Sequence, residues 1–157
     1  MDLILWRHAE ARDARDSEDD LVRPLTQHGE KQAAKVADWL NRQLPQGTGV
    51  LVSPALRCLQ TAEALDRNWR VSKRLAPGAS VQAMLDEARW PDSREPVLLV
   101  GHQPALGQLA ASLLTGAVAL DAPPWAVRKG AVWWLRHRER SGRAQVVLVA
   151  VCSPDMF

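Results

Sequence analysis

Three apolar runs constrain this chain more than any other feature: residues 3–6 (Leu-Ile-Leu-Trp), 50–52 (Val-Leu-Val) and 97–100 (Val-Leu-Leu-Val). Each has strand length, lacks polar alternation and stops abruptly at polar or charged residues. A strand apolar on both faces is a strand covered on both faces, which is the situation of a parallel sheet between helices. The first strand is placed at residues 2–7.

Helical periods fill the intervals. Thr26 offers an N-cap oxygen, and Ala33, Val36, Ala37, Leu40 and Leu44 follow at helical spacing until Pro45 and Gly47 end the pattern. After the second strand, Ser53-Pro54 reads as a capping hydroxyl with proline in the first helical position, and Ala55, Cys58, Leu59, Ala62 and Leu65 form the inward stripe. Residues 69–73 read as a short strand and 79–88 as a helix. After the third strand, Gly101-His102-Gln103-Pro104 turns into a helix carrying Leu106, Leu109, Ala110 and Leu113. Residues 116–124 read as a loop, and two strands, 131–136 and 145–151, close the chain around a turn at Ser141-Gly142. Within the first of these, adjacent Trp133 and Trp134 must face opposite sides of the sheet. The expected fold is a three-layer α/β/α sandwich with a mostly parallel central sheet. With 157 residues, 46% of them hydrophobic, the chain suits a single domain spanning residues 1–157.

Between the first strand and the first helix, residues 11–25 carry mixed charge without a hydrophobic period, so an exposed, mobile loop is expected. The net charge of +2 is too small to favour nucleic-acid or membrane-surface binding. Positive charge is only locally dense, in Arg128, Lys129, Arg136, Arg138, Arg140 and Arg143, which fits a solvated hairpin or a partner-docking patch. Cys58 and Cys152 are distant and lack metal-ligand spacing, so no disulfide framework, metal or cofactor is expected. No apolar run approaches the ~20 residues that span a bilayer. A soluble, cytoplasmic protein is expected.

In open α/β sheets, ligands bind outside the carboxyl ends of the strands. That rule selects Arg7 and His8 after the first strand, Ser53 to Arg57 after the second and His102 after the third. Two arginines and two histidines at one sheet end suit a tetrahedral anion, because guanidinium groups bind phosphoryl oxygens bidentately. Arg57 would also sit in the first turn of a helix, where a cation opposes the macrodipole unless it bends away or an anion lies between. One imidazole could attack phosphorus while the second and the arginines neutralise the equatorial oxygens. His28 and His137 read as surface residues.

The strings Leu5-Trp6-Arg7-His8-Ala9-Glu10-Ala11, Ser53-Pro54-Ala55-Leu56-Arg57-Cys58-Leu59-Gln60-Thr61 and Val100-Gly101-His102-Gln103-Pro104 resemble the histidine phosphatase superfamily, whose fold is that of phosphoglycerate mutase. Within it they are similar to the short phosphohistidine phosphatases of the SixA type. The resemblance implies that His8 becomes phosphorylated and that Arg7, Arg57 and His102 bind the phosphoryl group. It also implies a further phosphate-pocket arginine at Arg23. Ala9 stands where the superfamily most often has glycine, a small change.

Many superfamily members supply a proton donor as a glutamate in mid-chain, yet the matching stretch here reads Arg74-Leu75-Ala76-Pro77-Gly78. Losing such an acid should penalise phosphate esters, since general acid catalysis is typically worth ~10²–10⁴-fold. A phosphohistidine leaves more readily without one. Glu10 is either a substitute acid or an ion-paired carboxylate. The favoured expectation is metal-independent removal of phosphate from a phosphohistidine-bearing protein, such as a phosphotransfer domain. A small-molecule phosphomonoesterase and a non-catalytic phosphoprotein-binding module are the alternatives.

Overall fold

The computed structural model describes residues 1–116 and 123–157. Its strands are β1 (Asp2–Arg7), β2 (Gly49–Val52), β3 (Arg70–Val71), β4 (Val97–Gly101), β5 (Val132–Arg140) and β6 (Arg143–Cys152). The α-helices are α1 (Gln27–Gln43), α2 (Leu56–Glu63), α3 (Val81–Ala88) and α4 (Ala105–Thr115). All six strands form one sheet in the order β3-β2-β4-β1-β5-β6. The first four are parallel, and the β5–β6 hairpin adds antiparallel strands beside β1.

Side-chain alternation along the three apolar runs builds two cores. Leu3, Leu5, Leu51 and Leu99 point to the face covered by α3 and α4, where Met84, Leu106 and Leu109 meet them. Ile4, Trp6, Val50, Val52, Leu98 and Val100 point to the face covered by α1 and α2, against Val36, Leu40, Cys58 and Ala62. Full burial of each large apolar side chain contributes about 1.5–3 kcal/mol, so these strands cannot slip register without exposing one core or the other. Trp133 and Trp134 divide between the two faces in the same way.

Several boundaries differ from the sequence expectations. α2 begins at Leu56, with Ala55 in the capping position and no side-chain cap. Ser53 lies two residues before that position, its oxygen accepting from the Ala55 N–H at 3.3 Å and lying 2.6 Å from His102 Nε2. The strand expected over 69–73 shrinks to the two residues that pair with Leu51 and Val52. The terminal strands run longer than expected, joined through Ser141 and Gly142, both at positive φ (53° and 72°) as a tight two-residue hairpin turn requires. The loop expected over 116–124 falls largely outside the described residues. His137 is half-buried against the Trp90 ring at 5.7 Å rather than at the surface, whereas His28 is exposed.

The 11–25 segment is exposed along its middle but is tied down at several points. Ala11 bridges to Leu25, the Arg12 N–H donates to the Pro24 carbonyl at 3.0 Å, and Arg12 pairs with Glu18 at 2.5 Å. A 3-10 turn at Asp20–Val22, capped by Asp19, gives its tip a defined course.

The first turn of α1 abuts the backbone that follows His8. Thr26 caps the helix by accepting from the Gly29 N–H at 2.9 Å, and its own N–H donates to the Glu10 carbonyl at 3.0 Å. A Cβ on Gly29 would lie 2.0 Å from that carbonyl oxygen. Gly29→Ala is therefore expected to destabilise the protein by about 1–3 kcal/mol, the usual cost of overpacking, read as a lower urea midpoint. An unchanged midpoint would show that α1 does not press on this backbone.

Candidate active site

The parallel register sets the geometry at the carboxyl end of the sheet. Arg7 is paired with Gly101 and Val52 with Val100, so the residues that follow leave the sheet at the same level. The His8 N–H donates to the Gly101 carbonyl at 3.1 Å and the Ser53 N–H to the Val100 carbonyl at 3.0 Å, which extends the ladder one step beyond the strands. The His8 and His102 rings thus lie 5.3 Å apart, centroid to centroid. They line a cavity of about 390 Å³ together with Arg7, Arg23, Arg57 and Lys129.

His8 is buried, and its Nδ1 lies 2.7 Å from the Ala9 carbonyl. A carbonyl only accepts, so Nδ1 carries the proton and Nε2 keeps its lone pair. Burial, opposed by that hydrogen bond and reinforced by Arg57, Arg7 and Arg23, pushes the His8 pKa down to about 4. The ring is a neutral base throughout the physiological range.

His102 is held in the opposite tautomer. Arg57 Nη2 lies 3.3 Å from His102 Nδ1 and can only donate, so the ring proton is on Nε2 and is donated to Ser53 Oγ at 2.6 Å. Burial, and then the charges of His8 and Arg57, lower its pKa to about 3. Cys58 sits 3.5 Å from the same nitrogen, but burial pushes its thiol up to about 12, so it is not a nucleophile.

Arg57 does not bend to solvent. Its side chain is 4% exposed, and it donates to the Asp20 carbonyl at 2.7 Å and the Asp20 carboxylate at 2.8 Å. Arg23 donates to the other carboxylate oxygen at 2.8 Å and anchors its Nη1 on the Arg12 carbonyl. One carboxylate therefore bridges the two guanidinium groups inside the cavity. Burial works against its ionisation, yet the hydrogen bonds from Arg57 and Arg23 prevail and hold its pKa below the usual value. Arg7 is anchored by a 2.7 Å bond to the Val127 carbonyl, and burial weakens its hold on its proton. Among the described residues the Nε of Arg7 and that of Arg57 are buried without partners, which leaves two guanidinium N–H donors unsatisfied in a poorly solvated site.

A sequence model of the histidine phosphatase superfamily (branch 1) matches residues 3–80. Phosphohistidine phosphatase SixA of Escherichia coli is 34% identical to the chain over 79% of its length and 78% of that protein's. This chain belongs to the histidine phosphatase superfamily. An uncharacterized protein from Picosynechococcus is 39% identical over 74% of each chain. The solved structure of the protein histidine phosphatase SixA complexed with tungstate matches with a TM-score of 0.75 and 29% identity, covering 99% of both chains. The fold is accordingly that of the phosphoglycerate-mutase-like histidine phosphatases.

Of the residues singled out in this superfamily member's sequence, Arg7, His8, Arg23, Arg57 and His102 converge on one cavity. Glu10 does not line it. Its carboxylate accepts from the Thr26 hydroxyl at 2.7 Å and so supports the start of α1. Asp20 was not distinguishable in the sequence, being one of eight charged residues in residues 11–25 without periodicity. Thr61 was missed as well. It accepts from the Ala9 N–H at 3.1 Å and donates to the Arg57 carbonyl at 2.7 Å, fastening the loop after β1 to α2. Among the described residues no three His, Cys, Asp or Glu side chains group as metal ligands.

Nitrogen-resolved NMR at about pH 6 should find both rings neutral, His8 protonated on Nδ1 and His102 on Nε2. The folded values lie below the ordinary 6.5, so the unfolded chain binds more protons as acid is added. Stability is then full above about 6.5 and falls as the pH drops toward the folded values. The denaturant midpoint should decrease between about pH 7 and pH 5, and decrease less in His8→Asn. A charged His8 ring at pH 6 would contradict the geometry.

Proposed function

We propose that the chain is a metal-independent phosphohistidine phosphatase working in the cytoplasm through a covalent intermediate on His8. The carrying observation is the neutral His8 ring, its Nδ1 proton tied to Ala9 and its Nε2 lone pair available at a cavity lined by Arg7, Arg23, Arg57 and His102. In the first step the Nε2 lone pair attacks phosphorus, forming a new N–P bond as the substrate's N–P bond breaks. The departing imidazole, protonated on its other nitrogen, leaves neutral. In the second step water attacks the phosphoryl group, His8 recovers its lone pair, and inorganic phosphate departs with the protons of that water. Both transition states concentrate negative charge on equatorial oxygens, where fixed guanidinium donors are most effective. His102 can take up a proton on Nδ1 when a dianion replaces Asp20 near Arg57, becoming a further donor.

The choice of leaving group is supported by the 74–78 stretch and by Asp20. Pro77 brings the 74–78 stretch to the rim without an acid. Asp20, bridging two arginines with its pKa lowered, is a poor proton donor. A phosphohistidine does not require one. The Escherichia coli SixA relative is a phosphohistidine phosphatase by name, and a solved structure of a protein histidine phosphatase SixA holds tungstate, a tetrahedral oxyanion. A partner bearing phosphohistidine, such as a phosphotransfer domain, fits this reading. One observation favours a phosphomonoesterase instead: Asp13 lines the cavity with no ion-pair partner among the described residues, and could protonate an alkoxide.

Turnover on a phosphorylated histidine domain, compared with aryl and sugar phosphates, separates these readings. The proposal requires the N–P substrate to be faster by at least about 10²-fold, the lower range of a missing general acid. Faster esters, with loss of that activity in Asp13→Asn, would establish the alternative. His8→Ala should abolish turnover and acid-labile labelling while leaving the melting temperature within a few degrees of wild type. Arg57→Ala and His102→Ala should each reduce kcat by about 10²–10³-fold, the usual loss for one electrostatic donor. A chain that binds phosphoprotein but never acquires label on His8 would be a binding module.

A further inference from the structure

Beside the catalytic cavity lies a second depression of about 350 Å³, walled by His28, Lys31 and Lys35 of α1 on one side and by Arg128, Lys129 and Asp155 on the other. Positions 28, 31 and 35 recur at helical spacing, so α1 presents them as one exposed stripe. Of the basic stretch 128–143, only Arg128 and Lys129 reach this groove; Arg136 is paired with Asp2 at 2.6 Å. Asp155 is occupied by Arg128 at 2.9 Å, and Lys35 donates to the backbone oxygen of Phe157. Lys31 and Lys129 have no carboxylate partner among the described residues. Of the four formal cations around the groove, Lys31 and Lys129 are therefore the two left to meet an incoming anion.

The groove and the cavity share Lys129 in their walls. Both walls are also pinned to the backbone around His8. The Gly130 N–H donates to the His8 carbonyl at 3.0 Å, and the Thr26 cap of α1 donates to the Glu10 carbonyl. Whatever lies in the groove is thereby held at a fixed offset from the His8 ring.

We infer that this groove docks an acidic segment of a protein substrate, adjoining the phosphohistidine delivered to His8. The inference rests on the function proposed above and names the partner's chemistry: Asp- and Glu-rich chain beside the modified histidine. The concave shape, lined by lysine side chains and Pro154, fits an extended peptide better than a flat membrane surface. Clustered like charge of this kind acts chiefly on encounter and orientation, and is screened by salt.

Two synthetic phosphohistidine peptides of equal length, one with acidic and one with glutamine flanks, test this directly, with free phosphohistidine as reference. Wild type should show about tenfold higher kcat/KM on the acidic peptide at low salt, shrinking toward parity near 0.5 M salt, a size typical of electrostatic steering. Lys31→Glu/Lys35→Glu should abolish that preference while free phosphohistidine turnover stays within about twofold. Equal rates on both peptides in wild type would overturn the docking site and leave the phosphatase reading intact. Hydrolysis of neither peptide would overturn the phosphatase reading. The groove would then be judged by binding of the fluorescent acidic peptide, where a loss under twofold in the double variant rejects it and a tenfold loss upholds it. Sedimentation of the protein with anionic vesicles, lost in the same variant, would assign the groove to a membrane surface and overturn the peptide assignment.

Discussion

The pairing of β1 with β4 is the constraint on which the site depends. Leu3 to Arg7 lie opposite Val97 to Gly101 without a break, and β2 joins the other edge of β4 in register. Because a one-residue slip in β1 would drive Leu3 and Leu5 into the α1–α2 core and Ile4 and Trp6 into the other, two hydrophobic cores enforce one alignment. Their combined burial greatly exceeds the electrostatic cost of holding two imidazoles and several guanidinium groups together at the sheet end. Trp6 adds a lock of its own, since its indole N–H donates to the Gly130 carbonyl at 3.0 Å while Gly130 donates to His8. Packing far from the cavity thus fixes the His8–His102 distance.

Charge in the cavity is managed by keeping the histidines neutral. Two protonated rings beside Arg7, Arg23 and Arg57 would repel strongly in a poorly solvated site, and burial together with those charges drives both pKa values well below 6.5. The same forces that remove the proton from His8 Nε2 leave it nucleophilic. Asp20 supplies the anion that Arg57 needs in the first turn of α2, where the helix dipole and the guanidinium have the same sign.

Much of this was legible in the sequence because it follows from periodicity and strand ends. Continuous apolar runs gave the buried parallel strands, Thr26 gave the start of α1, and the rule of carboxyl ends found Arg7, His8, Arg57 and His102. What could not be read was anything decided by partners distant along the chain. Ser53-Pro54 looks like a helix cap, yet the serine hydroxyl is drawn 2.6 Å from a histidine 49 residues away. Asp20 is set apart from its charged neighbours by reaching both Arg57 and Arg23, and the Glu10 carboxylate is taken up by the Thr26 hydroxyl. The basic groove was invisible as well, since its cations come from residues 28–35 and 128–129, about a hundred positions apart.

On the proposed function, Asp20 and an incoming phosphoryl group would compete for the same donors. A carboxylate spreads one charge over two oxygens, matching Arg57 and Arg23 with one contact each. A phosphoryl dianion has three oxygens and twice the charge, so it can engage the same guanidinium groups and also draw a proton onto His102 Nδ1. A dianion would then hold these donors more strongly than a carboxylate does. Side-chain carboxylates of an acidic partner would have no such advantage over Asp20 in the cavity, whereas the groove beside it offers Lys31 and Lys129.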